Sequence, residues 1–222
     1  MSFLVRFAEK RRMNAIQKSI LPWGYRYCSE ADMPQDILEI ERFANQQDLE
    51  IYHVIKGRIE KSDFVYFDIR YVADLGDNTY ATCLKSYVAF KTREPIPDFE
   101  IEPKNLIYRF YQLVGYVLER IEKKKLPDPV AFPSDQEFDK RYAVNCDDES
   151  FARRFVTDDL RRKLCSDKER WLLRGHGNWV VIITYHKDGL TGDHRVKPAE
   201  IKQHVEKCYG FFKLAGSGSE ET

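Results

Sequence analysis

The spacing of apolar residues changes character several times along the chain, and each change predicts an element. Residues 3–20 run without a breaker until Pro22 and Gly24, which predicts a helix. Its apolar residues divide: Phe3, Leu4 and Phe7 share one face, whereas Met13, Ile16 and Ile20 lie largely on another. Trp23 to Cys28 alternates aromatic and polar residues as a short strand does. Ile37, Leu38, Ile40 and Phe43 give a buried side to a short helix from Asp36 to Ala44. From Leu49 the period becomes two. Ile51, His53 and Ile55 alternate with Tyr52, Val54 and Lys56; Phe64, Tyr66, Asp68 and Arg70 then alternate with Val65, Phe67, Ile69 and Tyr71. Glu60-Lys61-Ser62-Asp63 reads as the hairpin turn between them, Leu75-Gly76-Asp77-Asn78 as a second turn, and Thr79 to Lys91 as a third strand. Three strands joined by short turns predict an antiparallel meander.

Pro95 and Pro97 separate this strand from a short one at Phe99–Glu102. Leu106, Phe110, Leu113, Val117 and Ile121 follow helical spacing within Asn105–Lys124, and the lysines at 123–125 suit the negative end of a helix. A connector with Pro127, Pro129 and Pro133 follows, then a strand from Lys140 to Cys146 and a short helix opened by Asp147-Asp148-Glu149 and ending at Phe155. Thr157 caps the next helix, Asp158–Cys165. Trp171–Arg174 and Trp179–Lys187 read as a hairpin turning at Gly175-His176-Gly177-Asn178. Pro198 starts a last helix to Leu214, and residues 216–222 (GSGSEET) form a flexible tail.

The expected fold class is therefore α+β: an antiparallel meander packed with helices, a smaller α/β half and a C-terminal helix. The parts are an N-terminal helix (1–21), the sheet with its long helix (22–126), the smaller half (127–215) and the tail (216–222). The two central parts read equally well as one continuous domain.

The run Phe67-Asp68-Ile69-Arg70-Tyr71 resembles the "FDYRY" strand of a family of uncharacterised bacterial proteins, a domain of unknown function. Glu137-Phe138-Asp139-Lys140-Arg141-Tyr142-Ala143-Val144, then Asp147-Asp148 and Phe155-Val156-Thr157, is similar to that family's second block. The resemblance spans about residues 50–214 and continues through Gly177-Asn178-Trp179 and the helix at Pro198. It implies a layout without a chemistry. Similar proteins often carry this region behind one or two membrane helices; this sequence departs from them in having no such apolar run, so the resemblance does not itself imply membrane residence.

Composition narrows the function classes. A chain of 222 residues with 43% hydrophobic and 14% aromatic content can bury a core and is not a disordered chain. Lys plus Arg (36) equals Asp plus Glu (36), so no overall field draws it to nucleic acid, and none is expected as a partner. The basic runs Arg153-Arg154 and Arg161-Arg162-Lys163 are interrupted by Asp147, Asp148, Asp158 and Asp159, as on a salt-bridged surface. No run of about 18 apolar residues predicts a membrane span, and charges at 9–12 break any signal-peptide core. Five cysteines, at least 19 residues apart, suggest reduced thiols in a cytoplasmic protein. Local charge is more telling. Residues 3–20 carry Arg6, Lys10, Arg11, Arg12 and Lys18 against Glu9 alone, whereas residues 30–50 carry seven acids against Arg42.

Catalytic signatures are missing: there is no phosphate-cradling glycine loop, no H-E-x-x-H and no G-x-S-x-G. His176 and His186 would sit about 30 Å apart along a strand, too far to share a metal. His186 and His194 flank a loop and, with Asp193, could complete a two-histidine, one-carboxylate metal site. Tyr66, Tyr71, Tyr80 and Tyr87 could line an aromatic ligand pocket. The leading expectation is a non-enzymatic, cofactor-free binding or scaffolding domain. It would contact an unidentified protein partner or the inner-membrane surface through Phe3, Arg6, Phe7, Lys10 and Arg11. The alternative is a metal-dependent hydrolase built on His186, His194 and Asp193.

Overall fold

A computed structural model describes residues 3–42, 47–74, 80–104, 129–185 and 192–216. Its elements are α1 (Phe3–Ile20), a 3-10 turn at Leu21–Trp23, β1 (Arg26–Tyr27), α2 (Gln35–Arg42), β2 (Gln47–Ile59), β3 (Ser62–Asp74) and β4 (Tyr80–Pro103). There follow α3 (Gln136–Arg141), β5 (Tyr142–Cys146), α4 (Glu149–Phe155), α5 (Asp158–Ser166), β6 (Arg170–Tyr185), β7 (Gly192–His194) and α6 (Ile201–Leu214). The α+β class and the antiparallel meander are as the periodicity predicts. The expected helix over 105–124, the second turn at 75–78 and the tail beyond 216 lie outside the described residues.

One seven-stranded sheet organises these elements, with β1 to β4 antiparallel in sequence order. β5 and β6 both pair antiparallel with the second half of β4, and β7 runs parallel to its start. Strands from both sides of the proline connector thus share one sheet. Side chains alternate between two buried faces. Tyr66, Val88, Phe90 and Ile182 pack under α1, α4, α5 and α6, where Ile16, Ile20, Phe155, Leu160, Val205, Phe211 and Phe212 meet them. Val65, Phe67, Ile69, Tyr87 and Val181 face the other way, towards Met33 and Ile37 of α2 and the segment before it.

Two strand predictions are corrected. The prolines do not divide β4, which continues for 24 residues through Pro95 and Pro97. Its register with β6 slips between Lys91 and Ile96 and again between Ile96 and Phe99. An irregular stretch needs no ladder donor, so residues lacking an N–H are tolerated there. Nor do Gly175-His176-Gly177-Asn178 form a hairpin turn. They lie inside the single 16-residue strand β6, beside that slip. A Cβ on Gly175 would come within 2.1 Å of the Phe99 ring, so the glycine exists for close packing. Gly177 takes φ +55° with the Asp36 carboxylate 2.7 Å from where its Cβ would be.

Local capping follows the sequence. Thr157 accepts the Leu160 N–H at 3.2 Å and donates to the Leu214 carbonyl at 2.5 Å, joining α5 to the end of α6. The short helix α3 is a finding: Asp135 accepts from the Phe138 N–H at 3.0 Å, and Lys140 and Arg141 close the last turn. The strand expected from Lys140 therefore starts at Tyr142.

Candidate functional site

α1 lies on the sheet through charged groups as well as apolar ones. Asp68 of β3 is fully buried, and the Arg12 guanidinium reaches its Oδ2 at 2.8 Å. The Tyr66 hydroxyl donates to Asp68 Oδ1 at 2.9 Å and the Ser86 hydroxyl at 2.6 Å. Arg12 also donates to the Val196 carbonyl at 2.9 Å, while the Val196 N–H donates to Ser86 Oγ at 2.9 Å. Helix, sheet and the segment between β7 and α6 are thereby tied at one point. A buried carboxylate needs such a set of donors.

One turn earlier, Glu9 makes a second tie. Its carboxylate lies 2.9 Å from His53 Nε2 and 2.9 Å from the Arg195 guanidinium. His53 Nδ1 lies 2.9 Å from the Tyr27 hydroxyl, so the ring is held between a carboxylate and a hydroxyl. His53 holds φ +53° where the β2–β3 register slips, an unusual conformation fixed by both ring nitrogens. Burial pushes the Glu9 carboxyl up, but the hydrogen bonds from His53 and Arg195 outweigh it and hold it below the usual range. Arg195 shows the converse: burial opposes its charge, yet Asp193 and Glu9 raise its pKa.

The consequence appears on the outer side of α1. Glu9 is the helix's one acidic residue, and it is turned inward. Lys10, Arg11, Asn14, Ala15 and Lys18 are exposed, so the outward charges they carry are all positive. Phe7 is 52% exposed at one end of this face, with Arg11 stacked 5.3 Å from its ring. At the other end Leu21 is 73% and Trp23 46% exposed, with the Lys202 ammonium 3.7 Å from the Trp23 ring. Among the described residues the remaining large exposed apolar side chain is Tyr80. Tyr80 aside, the large exposed apolar side chains among the described residues thus lie on α1 and the turn that ends it.

Of the contact residues expected from sequence, Phe7, Lys10 and Arg11 share this surface; the side chains of Phe3 and Arg6 lie outside the described ones. Lys18, Leu21, Trp23 and Lys202 were not anticipated. Leu-Pro-Trp directly after a helix was a readable signal for two of them, since a proline-held turn leaves its neighbours few ways to reach the core.

The other sequence candidates are not assembled in this way. Asp193 accepts from Arg195 on both oxygens, at 2.9 and 2.7 Å, and this holds its carboxyl low despite burial. His194 follows it in β7, and His186 lies outside the described residues. Among the described residues no three His, Cys, Asp or Glu side chains are grouped to hold a metal. The expected tyrosine pocket is corrected: Tyr66 faces α1, Tyr71 and Tyr87 face the opposite side of the sheet, and Tyr80 stands exposed. A cavity of about 350 Å³ opens beside Ser86, Thr184, His194 and His204. The cations Arg195, Lys197 and Lys207 on its wall are each already paired with a carboxylate. Cys208, fully buried, has its thiol pKa raised by burial and is inert.

No family model matches the chain, and no curated protein does. Among solved structures the chain is similar to the crystal structure of the mycobacterial trehalose monomycolate transport factor A, TtfA. The two share 12% identity at a TM-score of 0.50, over 92% of each chain. A likeness at that identity carries the fold alone. No described helix is long and apolar enough to cross a membrane.

Proposed function

We propose that this protein is a non-enzymatic binding module and that the outer face of α1 is its contact surface. One observation carries the reading: Glu9 faces inward, so α1 presents Lys10, Arg11 and Lys18 with Phe7, Leu21 and Trp23 and no acid. A solvated face normally mixes charge signs and hides large apolar groups. This one does neither. The two ties at Glu9 and Arg12 hold the helix rigidly, so the surface is preorganised for a partner. The structural neighbour is described as a transport factor, which agrees with an accessory role, but the proposal rests on the surface. Asp193, held on both oxygens by Arg195, gives the metal-hydrolase alternative no comparable support.

A photo-crosslinking residue at Ala15, on the outer face, and another at Arg162 on α5 test this in extracts of the native cell. Crosslinks to lipid or protein from position 15 and not from 162 support the reading. Equal yields, or none at 15, contradict it.

A further inference from the structure

Resting on that reading, we infer that the occupant of the α1 surface is an anionic lipid bilayer, with the helix lying flat in the interface and Trp23 as its membrane anchor. At 100° per residue Phe7 and Leu21 fall within about 40° of one line along the helix, roughly 21 Å apart. Lys10, Arg11 and Lys18 lie between them on the same side. Two single apolar contacts at the ends of a convex basic rod do not make the compact central patch that protein partners bury. They suit a plane that is negatively charged and apolar just beneath. Trp23 adds the side chain most at home in that layer: an amphipathic ring, nearly half exposed, against Lys202. The charge of Lys202 is itself paired with Glu206 at 3.4 Å, so the attraction to an anionic surface comes from Lys10, Arg11 and Lys18. The helix cannot swing out to insert, because Arg12 leaving would strand the buried Asp68. Contact is therefore shallow and electrostatic, and strongly dependent on salt.

The chain's three tryptophans make this testable, since Trp171 is fully buried and Trp179 is 8% exposed. The full chain is mixed with vesicles of phosphatidylcholine alone, or of equal phosphatidylglycerol and phosphatidylcholine with brominated acyl chains. At 0.1 M salt at least tenfold tighter sedimentation with the anionic vesicles is expected, falling at least tenfold at 0.5 M. Bromine should quench the emission, and Trp23→Phe should abolish the quenching while leaving Trp171 and Trp179 fluorescent. Lys10→Glu with Arg11→Glu, both exposed, should weaken sedimentation at least tenfold. Absence of vesicle binding, or binding without quenching, overturns the inference; if either variant misfolds, these wild-type arms still decide. Crosslinks from position 15 to protein without vesicle binding would overturn the lipid and leave the contact surface standing. Absence of crosslinks together with absence of vesicle binding would remove both.

Discussion

Arg12 of α1 and Asp68 of β3 pair at 2.8 Å, and the carboxylate has no exposure to solvent. This ion pair turns a helix with few inward apolar residues into a fixed part of the fold. Arg12→Ala would leave Asp68 buried beside two hydroxyl donors and no counter-charge, a loss on the order of 3–5 kcal/mol. The expected result is a large fall in thermal midpoint, much of it recovered in Arg12→Met with Asp68→Asn. A single variant as stable as the parent would show the pair to be dispensable.

The packing of β6 on β4 rests on Gly175. An added methyl at 2.1 Å from the Phe99 ring must displace Phe99, whose ring also packs at a tilt on Phe155 with centroids 4.4 Å apart. Gly175→Ala should cost about 1–3 kcal/mol, read by chemical denaturation, and Phe99→Leu should relieve part of it.

Glu102 of β4 gives a dependence on pH. Burial first, and then the charge of Glu100, raise its carboxyl to about 7, with the Asn145 amide only partly offsetting them. The folded state therefore holds this proton more tightly than the unfolded one. Stability contributed by protonated Glu102 is present below the ordinary glutamate range and is lost as pH rises towards and through 7. Glu9 works oppositely: its contribution is present above its unfolded pKa and is lost as pH falls. Glu102→Gln should raise stability at pH 8 by about 2 kcal/mol and leave it nearly unchanged at pH 4. An equal effect at both pH values would contradict the assignment.

Thr157 serves two helix ends at once. Thr157→Ala removes the cap of α5 and leaves the Leu214 carbonyl without its donor, an expected loss of about 1–2 kcal/mol. Thr157→Ser should keep most of it. Hydrogen exchange should show the end of α6 loosening along with α5.

Much of the fold was legible because period and punctuation agreed. The alternation from Leu49 to Tyr71, the Thr157 cap and the helix after Pro198 each had two signals pointing the same way. β4 and β6 were misread where glycine and proline carry two meanings. Gly175 permits a close ring rather than a turn, and Pro95 occupies an irregular register rather than an end, and only the partner strand distinguishes these cases. The contact surface was half legible. The charge excess of residues 3–20 could be counted, but the decisive fact is that Glu9 turns inward, and that depends on His53 and Arg195, 44 and 186 residues away.

On the reading proposed above, the outward basic face of α1 seats this protein on an anionic membrane. Comparing the parent with Lys10→Glu/Arg11→Glu/Lys18→Glu for association with native membrane fractions, by flotation at low and high salt, tests it most directly. The expected result is association of the parent that salt reverses and the triple variant lacks, while both melt within about 2 °C of each other, as expected for surface substitutions. Association that survives all three reversals, or that the parent never shows, would contradict it.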